Sequence, residues 1–348
     1  METLWFVLVS FLLTMYVVLD GFDLGAGIIH LRAARTDDER RLILNAIGPV
    51  WDGNEVWILA AGGTLYFAFP LVYASSFSGF YLPLIMVLWL LILRGLGIEF
   101  RHQVHDHLWT RFWDTVFSLA SILLTVFFGV ALGNIIRGVP LNQEGYFFAP
   151  LWTTFTVVPE PGVLDWFTVL FGLIAFFTLS IHGSAFIAMK TTGDVNDRAH
   201  KFIRNAWWGS LLCSVAAIIA SASIRPELFD NFASYPWGSV FPLAGVAGIA
   251  GIWYFSGQRR DKQTFLASTM FIIGMLGGTA FSLYPTLLHA STDPAFSLSI
   301  ERTAAQHYGL TVGLVWWILG MTLATGYFVY LYRSFKGKTS VPTDGTGY

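Results

Sequence analysis

Polar and apolar positions along the 348 residues fall into long blocks rather than short alternations. Apolar runs close to the ~20 residues that cross a bilayer as a helix occur near 4–31, 50–70, 77–98, 112–136, 163–189, 203–224, 236–255, 264–285 and 308–333. The pattern predicts an all-α polytopic membrane helix bundle of nine transmembrane helices, with 1–348 as a single transmembrane domain. Runs two and three are parted by an expected tight turn near Tyr73-Ala74-Ser75-Ser76. Arg41-x-x-x-Asn45-Ala46 before run two is echoed by Lys201-x-x-x-Asn205-Ala206 before run six. The echo suggests two four-helix halves, 1–136 and 163–285, with 308–333 as a peripheral ninth helix, although coincidence accounts equally well for one short match.

Lysine and arginine alternate between loops. Of the 20 such residues, only Arg137, Arg225 and Arg302 fall in the even loops. The rest lie in or beside the odd loops and the C-terminal tail, which predicts a cytoplasmic C-terminus and a periplasmic N-terminus. The longer even loops, 137–162 and 286–307, then lie on the outer face as surface-capping or partner segments.

Composition narrows the class. Hydrophobic residues make up 55% and charged residues 12%, which excludes an ordinary soluble domain. A single cysteine, Cys213, excludes an intrachain disulfide framework and multi-cysteine zinc or iron–sulfur sites. A net charge of −2 without a basic tract sets nucleic acid aside. Glu2 stands where a signal peptide would be basic, and the apolar run that follows is too long for one, so the first segment is expected to remain a membrane helix.

Against this apolar background two polar runs stand out, Asp20-Gly21-Phe22-Asp23 in the first segment and Trp51-Asp52-Gly53-Asn54-Glu55 at the start of the second. A carboxylate in a bilayer costs about 2.5–3.5 kcal/mol even on the lenient insertion scale, so four of them imply a task or a partner. Asp20 and Asp23 are three apart, as are Asp52 and Glu55, so each pair is expected to share a helix face. The topology places all four in the cytoplasmic half, where one cluster could hold and pass a proton. Location at the headgroups, or pairing with arginine to lock helices, remains the plainer alternative for each. Asn54 can hold an aspartate or a water, or simply bridge helices. Trp51 reads as an interfacial anchor, and Trp57, deeper, as a cavity wall. Arg94 either snorkels or pairs with the cluster, and Arg101 follows it in the same polar turn.

Eight histidines bear on haem. His102, His105 and His107 crowd one charged loop, and only His30 and His182 approach membrane depth. Two facing histidines at matched depth, as a bis-histidine b-type haem needs, are not apparent, so no metal ligand is assigned in this chain.

The strings Leu19-Asp20-Gly21-Phe22-Asp23-Leu24-Gly25-Ala26-Gly27, Asn45-Ala46-Ile47-Gly48-Pro49-Val50, Trp51-Asp52-Gly53-Asn54-Glu55-Val56-Trp57, Phe77-Ser78-Gly79-Phe80-Tyr81 and Arg94-Gly95-Leu96-Gly97-Ile98-Glu99-Phe100-Arg101 together resemble subunit II of cytochrome bd-type quinol oxidases. These motifs cover roughly the first 140 residues; the remainder is similar in hydropathy and helix pattern. The resemblance implies a haem-free subunit in a bacterial inner-membrane heterodimer, with two b-type haems and haem d in the partner subunit I, which oxidises quinol and reduces oxygen to water. It implies contacts with quinol and lipids, a small accessory transmembrane subunit in some complexes, and a structural quinone in some members. It assigns Asp52 to a proton route from the cytoplasm, matches Asp20 and Asp23 to the family's paired aspartates, and places Trp57 near an oxygen path. Glu55 departs from the glutamine found in some members and adds a carboxylate. Two rival readings stay open: a stand-alone proton-coupled transporter, and a purely structural subunit.

Overall fold

In the computed structural model, α1 (Glu2–Ala33) runs through the middle of the bundle and packs on five other long helices. The structure describes residues 1–104 and 106–340; His105 lies outside them. In chain order follow α2 (Asp37–Ile47), α3 (Trp51–Ala68), α4 (Pro70–Gly79), α5 (Tyr81–Phe100), α6 (His107–Arg137), α7 (Trp166–Lys190), α8 (Gly193–Ile224), α9 (Asp230–Ser234), α10 (Val240–Gly257), α11 (Asp261–Leu283), α12 (Ile300–Thr303) and α13 (His307–Ser334). A two-stranded antiparallel ribbon, β1 (Thr286–Leu288) with β2 (Leu298–Ser299), lies between α11 and α13.

Eight helices among the described residues are long and apolar enough to span: α1, α5, α6, α7, α8, α10 with the short turn before it, α11 and α13. Run two corresponds to α3, whose 18 residues open on Trp51-Asp52-Gly53-Asn54-Glu55 and are correspondingly less apolar. The count of nine is therefore approximate. The turn expected at 73–76 is instead helix α4. The chain breaks at Phe69, before Pro70, and again at Phe80. Proline disfavours helical geometry in the residue before it and suits the first position of a new helix, which accounts for the first break. Loop one holds the unexpected α2, started by a capping box in which Thr36 and Glu39 satisfy each other's backbone N–H groups.

Helices α1 and α7 touch backbone to backbone. A Cβ placed on Gly25 would lie 2.0 Å from the Leu179 carbonyl oxygen, and one on Gly183 would lie 2.2 Å from the Gly25 carbonyl carbon. Only glycine permits that approach, the usual way membrane helices gain close packing when lipid is as apolar as their side chains. By contrast α13 buries only Leu310 and Leu331.

The two ends of the bundle differ. At one end loop one meets loop five through Arg198, which bonds Glu39 and the Ala33 carbonyl. It meets loop three through Arg101 and Asp37 (2.6 Å). Loop five meets loop seven through His200 and Asp261 (2.8 Å), and Lys338 of the tail joins Asp261 (3.3 Å). At the other end Thr3 of α1 reaches Tyr284 (2.9 Å), Val139 pairs with Ala290, and Arg302 bonds the Gln143 carbonyl (2.9 Å).

Candidate functional site

Three of the four expected carboxylates meet in the core. From α5, Arg94 is fully buried and pairs with Asp20 of α1 (2.7 Å) and Glu55 of α3 (2.9 Å). It does not snorkel. Asp23, one turn along α1, accepts a hydrogen bond from the Asn54 amide (2.7 Å), and the Asn54 oxygen accepts one from the Tyr332 hydroxyl of α13 (2.8 Å). The other Asp23 oxygen is buried without a partner. Two carboxylates, Asp20 and Glu55, thus share one guanidinium, and Asp23, one turn away, is held by a neutral amide alone.

Asp52 is not in this cluster. It is exposed on the outer side of α3. The reason is helical geometry: α3 turns Asn54, Trp57, Ala61 and Ala68 inward. Successive residues step by 100° around a helix, so Asp52 lies about 200° from Asn54 while Glu55 falls at the margin of the inward face. Asp52 therefore sits one turn outside Glu55, on the surface. Trp57 is buried between Phe11 and Phe328, with ring centroids at 6.4 and 5.4 Å, and its indole N–H has no hydrogen-bond partner.

Arg101 belongs to a second buried group that the sequence reading missed. Asp114, inside the apolar run of α6, accepts from Arg101 (2.7 Å) and Arg40 (3.3 Å) and meets His30 of α1 (2.7 Å). Asp114 is a lone carboxylate in an apolar helix, so the rule that flags Asp20 would have found it. No local signal marks Tyr332, whose partner lies 278 residues away in the chain.

His182 has both ring nitrogens engaged, with Ser268 of α11 (2.8 Å) and the Val18 carbonyl of α1 (2.9 Å), while His30 gives Nε2 to Asp114. These residues do not fit a bis-histidine haem. Among the described residues no group of three or more histidine, cysteine or acidic side chains could hold a metal ion.

Comparison with known proteins agrees with this architecture. The family profile described as cytochrome bd terminal oxidase subunit II matches residues 1–335. The chain belongs to the cytochrome bd oxidase subunit II family. It is 30% identical to the probable cytochrome oxidase subunit 2 of Haemophilus influenzae over 96% of this chain and 94% of that protein. It is 29% identical to the cytochrome bd ubiquinol oxidase subunit 2 of Bacillus subtilis over 98% of this chain and 97% of the relative. The cytochrome bd-I ubiquinol oxidase subunit 2 of Escherichia coli is also 29% identical, over 90% of this chain and 88% of that protein. A chain in the structure of bd oxidase from Geobacillus thermodenitrificans shares the fold, with a TM-score of 0.75 at 17% identity over 96% of this chain and 98% of that one. As a subunit II of this family, the chain is an integral membrane protein of a respiratory quinol oxidase and implies a subunit I partner.

Proposed function

We propose that this subunit II is the haem-free, proton-supplying half of a quinol-oxidising, oxygen-reducing complex, with both b-type haems and haem d in subunit I. The observation that carries the reading is the buried group in which Asp20 and Glu55 pair with Arg94 and Asp23 lies beside them held only by the Asn54 amide, three carboxylates with one cation among them. Excess negative charge in a low dielectric is unfavourable, and a proton taken up by the group brings it nearer neutrality. Asp52 supplies the surface end of the route. It gathers protons on the outer side of α3 and passes them to Glu55, three residues on, which is 22% exposed and touches Arg94. Arg94 and Asn54 hold these carboxylates, Arg101 is a structural residue that holds Asp114 in the second buried group, and Trp57 walls an oxygen path.

Sidedness follows from charge. The end of the bundle that gathers loops one, three, five and seven and the tail also carries most of the lysine and arginine, so that end is cytoplasmic in a bacterial inner membrane and the N-terminus is periplasmic. The two halves, 1–136 and 163–285, with the helix at 308–333 outside them, are part of the same reading. The sparse burial of α13 supports its peripheral place.

The deciding experiment is oxygen consumption per haem d in the purified heterodimer. Asp52→Asn keeps shape and hydrogen bonding but removes the titrating group, so turnover should fall by about 100-fold with haem spectra intact, and Asp52→Glu should restore part of it. Turnover close to the parent in an assembled Asp52→Asn complex removes Asp52 from the route and favours the purely structural subunit.

A further inference from the structure

The buried carboxylates have a second approach, through a cavity that Asp52 does not line. A cavity of about 300 Å³ lies at the end of the bundle where the tail folds back. Its walls include Asn45 and Val50 on either side of the turn into α3, Phe186 and Lys190 of α7, and Tyr332 of α13. The tail residues 335–340 form its remaining side. Thr339 N–H donates to the Lys190 carbonyl (2.7 Å), and Lys338 donates to the Ala188 (2.9 Å) and Thr191 (2.8 Å) carbonyls. Lys190 in turn bonds the Phe335 carbonyl. The ammonium groups of Lys190 and Lys338 are thereby engaged by backbone carbonyls, and Lys336 also lines the cavity.

Two unsatisfied polar groups mark the outer and inner ends of this approach. Asn45 lines the cavity with both polar atoms of its side chain buried and unpartnered. At the inner end the Tyr332 hydroxyl reaches past the wall to Asn54, whose amide holds Asp23. The free Asp23 oxygen, in a residue 1% exposed, waits beyond. Buried groups left without partners ordinarily bind ordered water, and a polar cavity of this size has room for several molecules.

We propose that this cavity is a water-filled second entrance for protons, and that Tyr332 and Asn54 are positioning residues that hold the Asp23 carboxyl at its inner end. The inference rests on the proton-supplying reading above. An amide oxygen is far too weakly basic to relay a proton, so Asn54 is a holder and not a carrier. A protonated water in the cavity gives its proton to a water beside the Tyr332 hydroxyl, which protonates the free oxygen of Asp23. The phenol keeps its own proton, donated to the Asn54 oxygen, throughout, and no electron moves. The charged or titratable groups around the phenol are Asp20 and Asp23 of α1 and, across the cavity, Lys190, Lys336 and Lys338.

The test is quinol-driven oxygen consumption by the purified heterodimer across pH, with Tyr332→Phe, Asn45→Leu and Asp23→Asn compared. Asn45 makes no hydrogen bond, so Asn45→Leu removes water affinity from the wall without breaking a contact. Slower proton uptake becomes limiting at a higher proton concentration. An approximately tenfold slower supply should therefore move the alkaline limb of the rate profile about one unit toward lower pH in Tyr332→Phe and Asn45→Leu, while Asn45→Ser keeps the parent profile. Parent-like profiles in Tyr332→Phe and Asn45→Leu, with Asp23→Asn slowed, overturn the entrance and leave the cluster's role standing. Parent-like behaviour in all three overturns both. If Tyr332→Phe fails to assemble, Asn45→Leu decides alone: a shifted limb supports the entrance and an unshifted one overturns it.

Discussion

Arg94 is the residue on which the site's charge depends. Removing one partner of a buried ion pair leaves the other uncompensated, at about 3–5 kcal/mol. Arg94→Met leaves Asp20 and Glu55 facing each other without a cation, and the expected outcome is loss of assembled heterodimer, read by size-exclusion chromatography and haem content. Adding Asp20→Asn and Glu55→Gln to that variant should recover assembly without recovering turnover. Asp20, Asp23, Asn54, Glu55 and Arg94 were legible in the sequence because each is expensive in an apolar run, and that cost points to a partner. The outward position of Asp52 was not legible. Two residues three apart sit 60° from alignment, and which of them faces inward depends on the neighbours of α3, a fact of tertiary packing. Asp114 was legible by the same cost argument but stood near the edge of its apolar run.

At the scale of elements, contact between helices α1 and α7 sets a limit on size. Gly25→Ala puts a methyl group into the Leu179 carbonyl, so the helices must part, and overpacking of this kind costs about 1–3 kcal/mol or more. The thermal midpoint of the purified complex should drop, whereas Gly62→Ala, where a Cβ meets nothing within 4 Å, should leave it unchanged. The segments at the end of the bundle that holds Thr3 and Tyr284 give a pH dependence. Burial pushes His289 down to about 4, the Arg225 charge acts the same way, and Glu227 at 4.0 Å opposes both. A histidine that binds its proton less tightly folded than unfolded confers stability above the ordinary value near 6.5, and that stability is lost as pH falls from there toward 4. Thermal inactivation should therefore quicken on acidification through this window, and His289→Gln should flatten the dependence. Hydropathy gave the long helices directly. It did not give α2, whose cue was the local pair Thr36 and Glu39, nor α4, which Pro70 separates from α3 inside what reads as a continuous apolar stretch.

Across the whole molecule, the alternation of charged loops predicts that reporter fusions at Ala34 and Lys336 both read cytoplasmic. A periplasmic signal at either would reverse the direction from which protons are drawn. The structure gives that expectation a physical basis, since the loops carrying most lysine and arginine touch one another at one end through Arg198, Arg101, His200 and Lys338. One hydrogen bond has a consequence for biogenesis. Asn54 belongs to an early helix and Tyr332 to the last one, so the polar core drawn from α1, α3 and α5 is not complete when those helices enter the membrane. Some 230 residues separate the end of α5 from Tyr332, which at ordinary rates of synthesis is roughly 10–50 s of translation. During that interval the nascent subunit carries Asn54, the holder of Asp23, without its hydroxyl donor, and a chaperone or insertase that shields α3 until α13 arrives would protect it from quality-control proteolysis.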